Sequence, residues 1–168
     1  LLLESGETLP DITIAYQTWG ELNPAKVNAI LVNHAWTGWS DVPGWWPSMV
    51  GPGLPLDTNK YFIVCPNVIG GCQGSTGPSS IAPDGKRYGS RFPVITIRDM
   101  VKAEVAFSDA LGIGRYLLSV GPSLGGMRSL EWAVQLPERV GAICTIGSSA
   151  VATGDQIGTA SIQIRAIK

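Results

Sequence analysis

Residues Gly121-Pro122-Ser123-Leu124-Gly125 set a serine between two glycines, and Gly126 adjoins them. An apolar run (116–120, YLLSV) comes before, and a helix-like run (124–136) follows until Pro137 stops it. Strand, G-x-S-x-G and helix in that order are what a nucleophilic serine on a strained turn requires. The strained angle lifts the hydroxyl out of the turn, and small residues two before and two after let strand and helix approach. The N–H of Leu124, at the helix start, can then face an oxyanion as it develops. The competing reading makes Ser123 the N-cap of a glycine-rich helix start. Under either, Pro122 stiffens the turn and removes one backbone donor.

A serine hydroxyl needs a base. The chain has one histidine, His34, at the end of the run 28–34 (NAILVNH), where it opens His34-Ala35-Trp36-Thr37-Gly38. Enzymes with this serine turn carry the triad in the order Ser, then Asp or Glu, then His, and His34 comes before Ser123. It is therefore expected to support the loop that supplies a second oxyanion N–H, with a direct role as base as the alternative. The simplest resolution is an incomplete chain, which also begins without methionine.

The elements that must position these groups follow from pattern. Runs at 12–19, 28–34, 61–65, 116–120 and 142–146 are rich in β-branched and apolar residues and predict strands; most are continuous, as in a sheet covered on both faces. Thr96-Ile97-Arg98-Asp99 predicts a capping box, with the Thr96 hydroxyl reaching the N–H of Asp99. An apolar face at helical spacing follows and Gly112 ends it. Residues 156–168 predict the start of a further helix. Alternating strands and helices predict an α/β fold with a mostly parallel sheet in a single domain.

One long segment, 67–93, is rich in glycine, proline and serine, and loops of this length are usually functional or disordered. It is expected to shape the floor under the serine turn and not to bind a nucleotide, because Gly85-Lys86-Arg87 lacks the Ser or Thr of a P-loop. Trp45-Trp46 is expected to pack, Arg128 to sit at the surface or in a salt bridge, and Cys72 to be a small buried residue.

Composition bounds the class. The 168 residues are 45% hydrophobic and 15% charged with formal net charge −1, so a globular domain is expected and a nucleic-acid or anionic-membrane surface is not. No apolar run approaches the roughly 18–20 residues of a membrane helix. Leu1-Leu2-Leu3 is followed at once by Glu4, so no signal peptide is expected. Three cysteines without C-x-x-C spacing fit neither a disulfide framework nor a zinc site; a reducing cytoplasmic setting and no metal are expected.

Several stretches then agree: NHAWTG, Asp57-Thr58 within the run from Gly44 to Ser80, GGCQGSTGP at 70–78, YGSRFPVITIRDMV, LGIGRYLLSVGPSLGGMRSLEWA and DQIGTASIQIRAIK. Together they resemble the homoserine O-acetyltransferases of the α/β-hydrolase superfamily, most of all actinobacterial members, over essentially the whole chain. The resemblance implies an incomplete α/β-hydrolase fold, with residues 1–168 as the N-terminal part of one catalytic domain. The lid, the Asp and His of the triad and the substrate-binding arginine would lie outside this chain. It implies Ser123 as nucleophile and the N–H groups of Trp36 and Leu124 as oxyanion hole. Departures from the family are Trp36 for leucine, Pro122 for glycine and Trp39 at a polar position; the Trp36 ring could narrow an acyl pocket.

The implied reaction moves an acetyl group from acetyl-CoA, a co-substrate and not a bound cofactor, to the hydroxyl of L-homoserine through a Ser123 acyl-enzyme. That step belongs to methionine biosynthesis, in a cytoplasmic enzyme that is a homodimer when full length. The alternatives are succinyl transfer to homoserine or serine, acetyl transfer to deacetylcephalosporin C, carboxylester hydrolysis, and a catalytically inert fragment.

Overall fold

The computed structural model describes residues 1–150 and the backbone of 163–165. Strands β1 (Tyr16–Trp19), β2 (Ala29–Val32), β5 (Phe62–Pro66), β6 (Leu118–Pro122), β7 (Ile143–Ile146) and β8 (Gln163–Arg165) form a six-stranded sheet in the order β1-β5-β2-β6-β7-β8. The four central strands are mutually parallel, while β1 and β8 run antiparallel at the edges. A second, two-stranded sheet pairs β3 (Val50–Gly51) with β4 (Leu56–Asp57).

Strand β2 is buried at all four positions, and its alternating residues feed two cores. Ala29 and Leu31 join Val64, Val101, Tyr116 and Trp132 on the face covered by helices α2 (Ile97–Ala110) and α3 (Leu124–Gln135). Ile30 and Val32 join Ile63, Cys65 and Val120 on the opposite face, beside the short helix α1 (Val42–Trp45). Period-two alternation with both faces apolar explains the continuous hydrophobic reading of this strand. Trp45 and Trp46 stack at 5.5 Å with planes 14° apart and pack against the second core, as expected.

Helix α2 starts at the predicted capping box. Thr96 Oγ1 accepts from Asp99 N at 3.2 Å, and Asp99 Oδ2 accepts from Thr96 N at 3.2 Å. Such a cap is worth about 1 kcal/mol. Gly112 stands just beyond the helix end with φ +71°, the left-handed region that favours glycine.

Several expectations need correction. Regular pairing of the first strand begins at Tyr16, not at residue 12. Thr13 and Ala15 instead bond to the long loop, through Thr76 Oγ1 at 2.8 Å and Ser75 Oγ at 3.0 Å, which removes them from the ladder. Strand β6 runs two residues past the expected end, because Gly121 and Pro122 still pair with Thr145 and Ile146. Residues 163–165 form a strand on β7, not a helix; the rest of 156–168 lies outside the described residues. The alternation Ile162-Gln163-Ile164-Arg165 was the period-two signal for it. Arg128 is fully buried and not at the surface, because Glu104 meets it inside; the salt-bridge reading holds. Cys72 is exposed, since the turn that begins at Gly70 (φ +81°) carries it to the wall of a cleft. No helix among the described residues is long and apolar enough to cross a membrane.

Candidate active site

Ser123 joins β6 to α3 with φ +51° and ψ −121°, and Lys26 is the other non-glycine residue described with positive φ. A left-handed non-glycine angle costs on the order of 1–3 kcal/mol and persists only where its surroundings over-determine it. Here they do. Ser123 N donates to Ile146 O at 2.9 Å, and Ser123 O accepts from Gly126 N at 2.9 Å and Ser148 Oγ at 2.7 Å. Ser123 is exposed, and its hydroxyl makes no capping bond to the helix, so the N-cap reading does not describe it.

The glycines are required by close approach. A Cβ on Gly121 would lie 2.6 Å from the carbonyl carbon of Gly125, and one on Gly125 would lie 2.7 Å from that of Asn33. Both are backbone atoms and cannot swing aside. Gly126 has a separate reason, since its Cβ would fall 2.6 Å from Ser148 Cβ.

The loop after β2 reaches the same sheet edge, because β2 and β6 are parallel neighbours. Asn33 N donates to Val120 O at 2.8 Å. The Asn33 amide donates to Ser119 Oγ at 3.1 Å and Ser129 Oγ at 3.0 Å, tying the loop to β6 and α3.

His34 is buried, with both ring nitrogens engaged. Val68 N donates to Nε2 at 3.2 Å, so the ring proton sits on Nδ1 and is donated to Ala35 O at 2.7 Å. Burial, and next the charge of Arg128, lower its pKa to about 4 against the smaller opposing effect of the Ala35 bond. The ring is neutral at pH 7, and neither nitrogen is left to take the Ser123 proton. His34 supports the loop.

Trp36 presents its ring to solvent, 74% exposed, so the substitution does not disturb the core. It borders a cleft of about 440 Å³ between residues 36–38 and the long loop, which contributes 67–73, Pro78 and Ser79. The cleft lies beside the serine turn; Ser123 is not among its lining residues. The start of the long loop also packs on the turn itself, where Val68 and Ile69 share a buried cluster with Leu124.

Sequence reasoning missed Asn33, Glu104 and the burial of Arg128. Asn33 adjoins His34 and could have been read as part of its motif. Nothing in the spacing of Glu104 and Arg128, on different helices, announces their pairing.

The alpha/beta hydrolase fold family model matches residues 28–168. A homoserine O-acetyltransferase of Leifsonia xyli subsp. xyli is 54% identical over 98% of this chain and 44% of its own length. The crystal structure of esterase E22 matches with TM-score 0.86 at 31% identity, covering 92% of this chain and 46% of that one. Homoserine O-acetyltransferase from Bacillus anthracis matches with TM-score 0.83 at 32% identity, covering 88% and 44%. The chain thus spans just under half the length of the curated relatives it matches. The left-handed serine between strand and helix, the parallel sheet beneath it and the family match agree: this chain belongs to the α/β-hydrolase fold family.

Proposed function

We propose that this chain carries the nucleophile of an acyltransferase that moves an acetyl group from acetyl-CoA to the side-chain hydroxyl of L-homoserine. The observation that carries the reading is Ser123 at φ +51° on the strand-to-helix turn, in a sequence 54% identical to a homoserine O-acetyltransferase. In the first step Ser123 Oγ attacks the thioester carbonyl, its proton passes to a base, and the CoA thiol leaves. In the second the homoserine hydroxyl attacks the acyl-enzyme and Ser123 is released. The N–H groups of Trp36 and Leu124 stabilise the oxyanion in both steps, each donor contributing about 3–4 kcal/mol.

The chain acts as the N-terminal part of one longer catalytic domain, whose remaining part supplies the Asp and His of the triad. His34 cannot stand in for that histidine, because both of its ring nitrogens are engaged. The full-length enzyme is a cytoplasmic homodimer in methionine biosynthesis. The 168 residues alone therefore have little or no transferase activity.

Ester hydrolysis is the second reading, favoured by the 31% identity to esterase E22 over 92% of this chain. Transferase and hydrolase differ in whether water is kept from the acyl-enzyme. The test measures thiol release from acetyl-CoA by the full-length protein, with and without homoserine. Homoserine-dependent release together with O-acetylhomoserine is the expected result. Equal release without homoserine, or strong turnover of a simple acetyl ester in water, overturns the transferase reading. Succinyl-CoA, serine and deacetylcephalosporin C in the same assay define donor and acceptor. Near-parental turnover by the 168-residue chain would return His34 to consideration as base.

A further inference from the structure

We propose that Arg128, held by Glu104, is a positioning residue for the oxyanion loop: it fixes the peptide that follows His34 and through it the direction of the Trp36 N–H. The proposal rests on the oxyanion role given to Trp36 above.

Arg128 and Glu104 face each other from α3 and α2 beneath the serine turn, and both are buried. Arg128 Nε donates to Glu104 Oε1 at 2.7 Å, and Nη2 lies 2.6 Å from the same oxygen. The other carboxylate oxygen accepts from Trp132 Nε1 at 2.8 Å. Both oxygens of Glu104 are thus engaged, one by the guanidinium and one by the indole. The remaining terminal nitrogen, Nη1, points away from the pair and donates to His34 O at 3.4 Å.

Stability is a weak reason for such a pair. Burying two charges costs several kcal/mol, and well-packed apolar residues of similar volume often serve equally well. What apolar residues cannot do is hold a backbone carbonyl of another element. The geometry around that carbonyl gives the pair its use.

The peptide linking Ala35 to Trp36 is planar, so its C=O and the Trp36 N–H point in opposite directions. Ala35 O accepts from His34 Nδ1 at 2.7 Å and from Gly38 N at 2.9 Å, which sets where the Trp36 N–H points. The preceding peptide is held through His34 O by Arg128. On the ring's other side, Nε2 must stay an acceptor for Val68 N–H, and the nearby guanidinium opposes a second proton on the imidazole. Arg128 therefore acts on the loop twice, by a hydrogen bond and by its charge.

The test uses the full-length protein with two variants. Glu104→Gln/Arg128→Met removes both charges at similar volume, and Arg128→Lys keeps a charge but loses the fork. Melting temperature, kcat and KM for homoserine, the rate at which a fluorophosphonate probe labels Ser123, and amide hydrogen exchange of residues 34–38 are measured. Small displacements of an aligned group can lower rates by about 100-fold. The double variant is expected to melt close to the parent, keep its KM, lose about 10- to 100-fold in kcat and in labelling, and exchange the 34–38 amides faster.

Arg128→Lys is expected to fall between the parent and the double variant, and it decides the question alone if the double variant does not fold. Parental kcat, labelling and exchange in a folded variant overturn the proposal and leave the pair as packing. A parent that fluorophosphonate does not label refutes the acyl-enzyme reading instead. In that case faster exchange of 34–38 in the variants still supports the positioning of the loop, and unchanged exchange removes it.

Discussion

The serine turn and the loop facing it are built by opposite means. The turn is continuous in sequence: strand, strained serine and helix follow one another within residues 118–135, glycines permit the close backbone approach, and Ile146 and Ser148 add one bond each. The loop at 33–38 is held by hydrogen-bonding partners from β6, α3 and the long loop. One side of the site stores strain in its backbone, and the other distributes restraint over side chains. A single residue can therefore destroy the first, while the second loosens by degrees.

The largest expected effect comes from the strained side. Ser123→Ala in the full-length protein should lower kcat by about 10⁴- to 10⁶-fold with little change in folding, since removal of a triad nucleophile has that scale. Steady-state acetyl transfer checks this, and a residual rate above one hundredth of the parent's would place the nucleophile elsewhere.

Gly125→Ala comes next. Its Cβ would lie 2.7 Å from the backbone carbonyl carbon of Asn33, so strand and helix must part. We expect a loss of about 3 kcal/mol or more, against typical overpacking costs of 1–3 kcal/mol for side chains that can move. Gly114→Ala, where nothing lies within 4 Å, is the control and should change little. Urea denaturation of both variants tells whether close approach or glycine content matters.

The restrained side has a pH signature. His34 titrates at about 4 in the native state against an ordinary 6.5, so below pH 6.5 the unfolded chain takes up a proton that the native ring refuses. Its contribution is whole above pH 6.5, declines as pH falls through 4, and amounts to about 3 kcal/mol. Denaturation of the parent and of His34→Gln across pH 4–7.5 isolates it as the difference in slope. Equal slopes would mean that the ring is not buried and neutral as described.

The smallest effect belongs to Trp36→Leu. A ring 74% exposed adds little to the core, so stability should stay within about 0.5 kcal/mol. The backbone donor is retained, so kcat should change less than it does in Arg128→Lys. A larger loss in kcat than in that variant would assign the ring, and not the N–H, to the reaction.

This contrast also explains what could be read from the sequence. Ser123, its glycines, the Thr96 capping box and the turn at Gly112 were legible because each is a local device spanning a few residues. The parallel sheet was legible from continuous apolar runs such as 29–32. Arg128 was not, because its burial depends on Glu104 from another helix, 24 residues away. Cys72 was misread because composition says nothing about which way a long loop turns. The strand at 163–165 was missed because apolar spacing in a short run fits either period until a free sheet edge selects one.

Consider finally the order in which a growing chain could acquire this site. The contacts that seat Asn33 and His34 reach across separations of 34, 86, 94 and 96 residues. Contacts so distant along the chain form slowly and late, because their closure entropy is met before they return anything. A polypeptide synthesised only as far as the long loop already contains Trp36 and the local bonds to Ala35 O and Val68, yet lacks the three most distant of these contacts. Those three arrive together, on Ser119, Arg128 and Ser129, in the segment that also carries Ser123. The segment that brings Ser123 thus also completes the framework of the loop that faces it.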